Sequence, residues 1–330
     1  MKTAALFLLD EEHWENVYGP AELKRLEHLI PTPFHFYSRQ TIQDNLRHLA
    51  EVEVIFSGWG MPPCDEKFLA AAPKLKAIFH AAGSIRWFVT DALWQREILV
   101  SSANSALSIT VAEFTLAQIL LSLKAMWRHV AETRAARKPV HHACAGICDS
   151  TIGLISIGAV AQNLLRFLRH FRLRIVAYDP FLSEEAAQDL GVTLVSLEDL
   201  FKISDVVSLH TPWLPETEGM IRNHHFSLMK QGATFINTAR GAVVNQQEMI
   251  DVLAQRPDLY ALLDVTHPEP APSTSPLYDL PNVILTPHIA GALGTECRRL
   301  GSMAIDEFER YLQRKPLRGQ VFEEMMTTIA

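Results

Sequence analysis

Cysteine is scarce. The four in this 330-residue chain (Cys64, Cys144, Cys148, Cys297) are too few and too scattered for a disulfide framework, which points to the cytoplasm. Positive charge is not in excess either: 37 acidic against 30 basic residues leave a formal charge of −7. Nucleic acid and anionic membrane both call for a basic surface, so neither is expected as the main partner. No apolar run reads as long enough to span a bilayer. The opening M-K-T-A-A-L-F-L-L-D-E-E turns acidic with no small-residue cleavage site, and reads as a first strand rather than a signal peptide. Internal repeats and low-complexity stretches are missing. So are G-x-S-x-G and H-E-x-x-H, which leaves hydrolase readings without support.

What is there is ordinary for a globular protein, with 48% hydrophobic and 20% charged residues and length enough for two domains. The first hundred residues alternate helical patterns with apolar runs: K-T-A-A-L-F-L-L, V-E-V-I-F-S-G, K-L-K-A-I-F-H and E-I-L-V-S-S. Strands spaced by helices suggest a parallel sheet. Thr110 and Glu113 then form a capping-box pattern, and the helix from Val111 is expected to run until Pro139 stops it. Its apolar first half suits burial between domains.

From Thr151 a second series holds six continuous apolar runs, as expected for a parallel sheet covered on both faces. These runs end at Gly158, Asp179, His210, Arg240, Asp264 and His288. Open parallel sheets bind ligands at such carboxyl ends. The first run, S-T-I-G-L-I-S-I-G-A-V-A-Q (Ser150 to Gln162), matches a dinucleotide-binding turn with two of its three glycines replaced. Gly158 keeps the position where backbone approaches pyrophosphate. Ala161 is tolerable where helix and strand pack, and Ser156 requires a turn that avoids positive φ. Asp179 follows about twenty residues later, where an acid bonds the ribose hydroxyls of NAD and repels the 2′-phosphate of NADP.

Three segments carry the chemistry: N-T-A-R-G-A-V-V (Asn237 to Val244), D-V-T-H-P-E-P (Asp264 to Pro270) and T-P-H-I-A-G (Thr286 to Gly291). With these the chain resembles the D-isomer-specific 2-hydroxyacid dehydrogenase family, from L-K-A-I-F-H-A-A-G through V-A-E-F-T-L-A to the end. The reaction fits the residues. Arg240 can hold a keto-acid carboxylate and polarise the ketone with its planar fork. His288 can protonate the developing alkoxide, because imidazole exchanges protons near neutrality. Glu269 would pair with His288 and keep it charged. Hydride passes directly between nicotinamide and substrate, so no metal is needed. The run H-H-A-C-A-G-I-C (His141 to Cys148) matches no familiar zinc spacing. His267 stands beside the glutamate as a decoy or helper.

The resemblance implies more. Asp264 should lie near the nicotinamide carboxamide, and His210, Pro212 and Thr217 along the cofactor. Thr238 and Ala239 should meet its nicotinamide side. The amides of Ala159 and Val160 should face the pyrophosphate. The substrate carboxylate should meet the loop at Ala82, Gly83 and Ser84. Two departures stand out. Ala159 occupies a position where the family usually has arginine, so weaker NAD binding or a substitute cation is expected. The substrate loop reads G-S-I-R-W-F-V in place of G-V-D-N, so Arg86 is either a charge at the substrate mouth or a surface charge. Trp87 is then a wall or a core residue.

The implied architecture is a two-domain α/β protein. A Rossmann-type doubly wound domain, residues 104–294, binds NAD, and a smaller flavodoxin-like substrate domain combines 1–103 with 295–330. The implied activity is NAD-dependent interconversion of a 2-keto acid and a D-2-hydroxy acid, glyoxylate or hydroxypyruvate being plausible, by a homodimer joined through the long helix. The rivals are a short-form phosphoglycerate dehydrogenase-like enzyme and a non-catalytic NAD(H)-sensing protein like the corepressors that share the fold. Formate dehydrogenase is disfavoured, since glutamine would stand at Glu269.

Overall fold

The computed structural model describes residues 3–327, so Lys2, placed in the first expected strand, lies outside the described residues. The chain forms two compact units, Met1–Ser108 with Ala292–Ala330, and Ile109–Gly291. Both borders fall a few residues from the 103/104 and 294/295 expected, the first of them inside the helix Asn104–Leu123.

The first unit is built on strands β1 (Ala5–Leu8), β2 (Phe36–Tyr37), β3 (Val54–Ser57), β4 (Ala77–His80) and β5 (Leu99–Ser102), with a late strand, β13 (Gln320–Val321). Their order is β13-β5-β4-β3-β1-β2. All pairs are parallel except β13 with β5. Successive side chains point to opposite faces, so each buried run feeds two cores. Leu6, Leu8, Ile55 and Ile78 face one core. Phe7, Phe56 and Phe79 face the other, where Phe308 meets Phe56 at 5.2 Å and Phe79 at 5.5 Å between ring centroids. Phe308 lies on the helix Cys297–Leu312. That helix packs closely because Gly301 has no side chain: a Cβ there would stand 2.1 Å from the carbonyl oxygen of Val17.

The second unit holds β6 (Thr151–Ile155), β7 (Arg174–Tyr178), β8 (Thr193–Leu194), β9 (Val206–Leu209), β10 (Thr234–Asn237), β11 (Tyr260–Leu263) and β12 (Val283–Leu285). They form one parallel sheet in the order β12-β11-β10-β9-β6-β7-β8. The six apolar runs are its six longer strands. The chain leaves β6 toward β7 on one side and toward β9 on the other, so the switch point that opens a ligand crevice lies between β6 and β9.

Three expectations fail in the helices. The long helix begins at Asn104, not at Thr110. Residues 104–109 are already helical, so no capping box forms; Thr110 is 3% exposed and its hydroxyl has no partner among the described residues. Nor does the helix reach Pro139. It stops at Leu123, turns through Ala125 at φ 46°, and restarts as Met126–Ala136. Finally, Asn104–Leu123 spans 20 residues at a mean hydropathy of 1.7, long and apolar enough by length and composition to cross a membrane. That corrects the expectation that no run qualifies; half of the segment is packed inside the protein.

Candidate active site

The second unit gathers polar residues just past the ends of its strands. Beyond β10, Asn237 is buried and folds the next turn onto itself. Its side-chain oxygen accepts from the Ala239 amide (3.0 Å) and its Nδ2 donates to the Arg240 carbonyl (3.0 Å). This side-chain-to-backbone turn aims Arg240. The half-buried guanidinium donates from Nη1 to the Ala239 carbonyl at 2.7 Å. Burial pulls Arg240 below its ordinary value, and the negative charge of Glu269 works in the opposite direction. The neighbouring Gly241 permits the close approach of the two loops, for a Cβ there would lie 2.1 Å from the backbone carbon of Thr266. Thr238 shares a 3.0 Å hydrogen bond with Thr115.

Beyond β11, Asp264 is 3% exposed and holds the segment that follows β12. Its Oδ1 accepts from the Thr286 hydroxyl (2.6 Å) and the Ile289 amide (2.8 Å), and Oδ2 from the Ala290 amide (2.8 Å). Its carbonyl takes the His288 amide at 3.0 Å. His288 sits at φ 56°, a left-handed conformation that a non-glycine residue holds only when its surroundings fix it. Its Nδ1 meets Oε1 of Glu269 at 2.7 Å. An ionised carboxylate only accepts, so Nδ1 donates and Nε2 is left to exchange a proton with a substrate. Both side chains are solvent-accessible, at 50% and 40% exposure. The sequence reading named Arg240, Glu269 and His288 but missed Asn237 as the residue that aims the arginine. An asparagine three residues before it was the available signal.

At the other end of the crevice, the β6 turn corrects one expectation. Ser156 adopts φ 70°, so the first glycine position keeps its left-handed turn with a serine in it. A 2.8 Å hydrogen bond shared between the hydroxyls of Ser156 and Thr211 helps to hold it. Gly158 precedes the helix Ala159–Leu168, and among the described residues no side chain caps the first amides of that helix. A Cβ on Gly158 would meet nothing within 4 Å. Asp179 accepts from the Ile157 amide (2.7 Å) and the Phe181 amide (2.8 Å), which fixes the carboxylate beside the turn. Uncapped amides at Ala159 and Val160, open space at Gly158 and an anchored acid together fit a dinucleotide.

His210 follows β9; burial pushes its imidazole down to about 4, and Nε2 shares a 3.0 Å hydrogen bond with Ser208. Thr217 donates to the Pro212 carbonyl at 2.6 Å, closing the loop between them.

Ala82, Gly83 and Ser84 follow β4 in the first unit. Ser102 donates to the carbonyls of Ala82 (3.1 Å) and Gly83 (2.6 Å), fixing the loop. Arg86 donates to the Met326 carbonyl, so part of its guanidinium anchors a distant segment of the same unit. Trp87 is 37% exposed and is not a core residue. Of the His141–Cys148 run, His142 pairs with Glu132, and both cysteines are free and exposed. Elsewhere Glu198, His224 and His225 bring ligand atoms within 4.8 Å of one another, a cluster the sequence reading did not single out. His225 Nδ1 already accepts the Arg222 amide at 3.0 Å. His267 lies edge-on to Trp213, with ring centroids 5.3 Å apart.

The sequence model described as D-isomer specific 2-hydroxyacid dehydrogenase, NAD binding domain, matches residues 116–290. The chain belongs to this family. A glyoxylate reductase of Korarchaeum cryptofilum is 33% identical over 74% of this dehydrogenase-family chain and 75% of its own length. A D-3-phosphoglycerate dehydrogenase of Archaeoglobus fulgidus is 30% identical over 78% of this chain but only 49% of its own length. The chain thus spans about half the length of that relative. Among solved structures, the TT0316 protein of Thermus thermophilus superposes with a TM-score of 0.77 at 27% identity, covering 96% of this chain and all of its own. A phosphoglycerate oxidoreductase from rhizobium etli gives 0.81 at 22% identity over 98% of this chain and all of its own, which is a likeness of fold.

Proposed function

We propose that this protein interconverts a 2-keto acid and the D-2-hydroxy acid with NAD(H), NAD being preferred over NADP. The observation that carries the reading is the 2.7 Å pair of His288 and Glu269, both past strand ends of the sheet that also presents Arg240. The guanidinium binds the keto-acid carboxylate and draws electron density from the ketone. His288 delivers a proton from Nε2 to the ketone oxygen, and Glu269 steadies the ring through Nδ1. In the oxidative direction His288 takes the proton back. Nicotinamide, when bound, supplies or accepts the hydride. Gly158, Ala159 and Val160 receive the pyrophosphate, and Asp179 selects the cofactor by bonding the ribose and repelling a 2′-phosphate. His210, Pro212, Thr217, Thr238, Ala239 and Asp264 line the cofactor. Ala82, Gly83 and Ser84 receive the substrate carboxylate, with Arg86 nearby. The same reading includes a cytoplasmic homodimer, with glyoxylate or hydroxypyruvate as substrates.

The test is loss of reduced-nicotinamide absorbance with purified protein over a broad panel of 2-keto acids, phosphohydroxypyruvate included. Turnover that depends on the keto acid and is faster with NADH than NADPH is expected. Binding of NADH without turnover of any member would overturn the enzyme reading in favour of a sensor.

A further inference from the structure

The segment that carries Glu269 has little of its own to hold it. His267, Pro268, Glu269 and Pro270 are all exposed and lie outside every helix and strand. Among the described residues its backbone is tied at two points. The His267 amide donates to Oε1 of Gln246 at 3.0 Å, and the Thr266 hydroxyl donates to the Pro268 carbonyl at 2.8 Å. Exposed backbone with few buried contacts opens easily. The Glu269 carboxylate nevertheless stands at hydrogen-bond distance from Nδ1 of His288.

A restraint from outside the segment is Trp213, which the proposed chemistry does not use. Its indole meets the His267 imidazole with ring centroids 5.3 Å apart at 67°, an edge-to-face arrangement that aromatic rings favour. The imidazole makes no hydrogen bond among the described residues, so the indole contact is what fixes its ring. The indole is itself held. Its Nε1 donates to Oε2 of Glu218 at 3.1 Å. Thr217 closes the loop, accepting from the Leu214 amide (2.9 Å) and donating to the Pro212 carbonyl (2.6 Å). Two residues before Trp213, the Thr211 hydroxyl shares its 2.8 Å bond with Ser156 in the β6 turn. Past the loop, the Gly219 amide donates to the Ala242 carbonyl (2.8 Å) and the Ile221 amide to the Val243 carbonyl (3.0 Å), just beyond Arg240. Trp213 thus stands where the β6 turn, the stretch after Arg240 and the segment of Glu269 are joined, all within the second unit.

An indole that merely covers its neighbours would cost stability when removed and leave proton transfer alone. Trp213 is placed to do more, because the ring it fixes lies two residues from the carboxylate that steadies His288. We propose that Trp213 is a positioning residue: through His267 it restrains the segment that presents Glu269, and so couples cofactor occupancy of the β6 turn to the Glu269–His288 pair. The effect on turnover rests on the dehydrogenase reading above; the restraint on the segment does not.

The experiment follows reduction of glyoxylate, or of whichever 2-keto acid turns over, at saturating NADH. Wild type, Trp213→Ala and Trp213→Phe are compared, each with and without Glu269→Gln. Trp213→Ala should lower kcat by about tenfold, the upper worth of an aromatic pair. Trp213→Phe keeps a ring against His267 and should stay within about twofold of wild type. With Glu269→Gln already present, adding Trp213→Ala should leave kcat nearly unmoved, because a residue that acts through Glu269 has nothing left to act on. An unchanged kcat in Trp213→Ala, a loss confined to KM, or the same fold loss with and without Glu269 would overturn the role. If no keto acid is reduced by the wild type, it is the dehydrogenase reading that falls, and hydrogen exchange judges the restraint. Amides of residues 265–271 should exchange faster in Trp213→Ala than in wild type or Trp213→Phe, and NADH should slow them in wild type but not in Trp213→Ala. Equal exchange in the three proteins would overturn the restraint; NADH slowing both wild type and Trp213→Ala, or neither, would overturn the coupling.

Discussion

At the residue scale, Asp264 anchors the segment that follows β12. Its two oxygens accept three hydrogen bonds from the segment that presents His288, and its carbonyl takes the His288 amide. The left-handed turn at His288 is therefore fixed from a buried anchor on the neighbouring strand. Asp264→Asn replaces one acceptor oxygen by a donor that faces another donor. Urea denaturation should show a loss of about 2 kcal/mol, typical of a buried hydrogen bond to a charged group, and kcat should fall with it. An unchanged midpoint would show that the turn does not depend on the carboxylate. Arg240 and His288 stood out in the sequence because each is a polar stop at the end of an apolar run, and Glu269 because it follows another such stop, Asp264, by five residues. The conformation of Ser156 did not. A serine argues locally against positive φ, and the hydroxyl of Thr211 that meets it lies 55 residues further on.

Among the elements, continuous apolar runs announced every strand of four or more residues, because strands covered on both faces leave no polar alternation to misread. The two-residue strands β2, β8 and β13 were hidden: their pairing partners, not their own pattern, make them strands. Thr110 and Glu113 imitated a helix start, but the residues before them were already helical. Close packing of helix on helix was equally silent, although Gly301 marks it. A Cβ would enter the space of the Val17 carbonyl, which is backbone and cannot step aside cheaply. Gly301→Ala should therefore cost roughly 1–3 kcal/mol in thermal or chemical unfolding, despite alanine's better helix propensity. A stabilised variant would mean that the contact relaxes freely.

For the whole molecule, two imidazoles link stability to acidity. Burial pushes His80 down to about 3 and His210 to about 4, from an ordinary 6.5. His80 is 1% exposed and bonds Ser57 through Nδ1 at 2.9 Å. The unfolded chain takes up these protons below about pH 6.5, whereas the folded chain resists until about pH 3–4. The stability is thus fully present above 6.5 and drains away as pH falls toward the folded values. For His80 alone the loss between pH 7 and pH 5 is about 2 kcal/mol by linkage, and His80→Gln should flatten that part of the profile in urea titrations. An equal slope in the variant would assign the loss elsewhere.

The central claim is that the imidazole of His288 moves the proton in a reduction that this chain performs with NADH. It is tested most directly by the steady-state rate of keto-acid reduction in wild-type protein and His288→Gln, with NADH affinity measured separately in both. In His288→Gln kcat should drop by about 10²–10⁴ while the NADH dissociation constant stays the same. Equal kcat values with intact cofactor binding would contradict it.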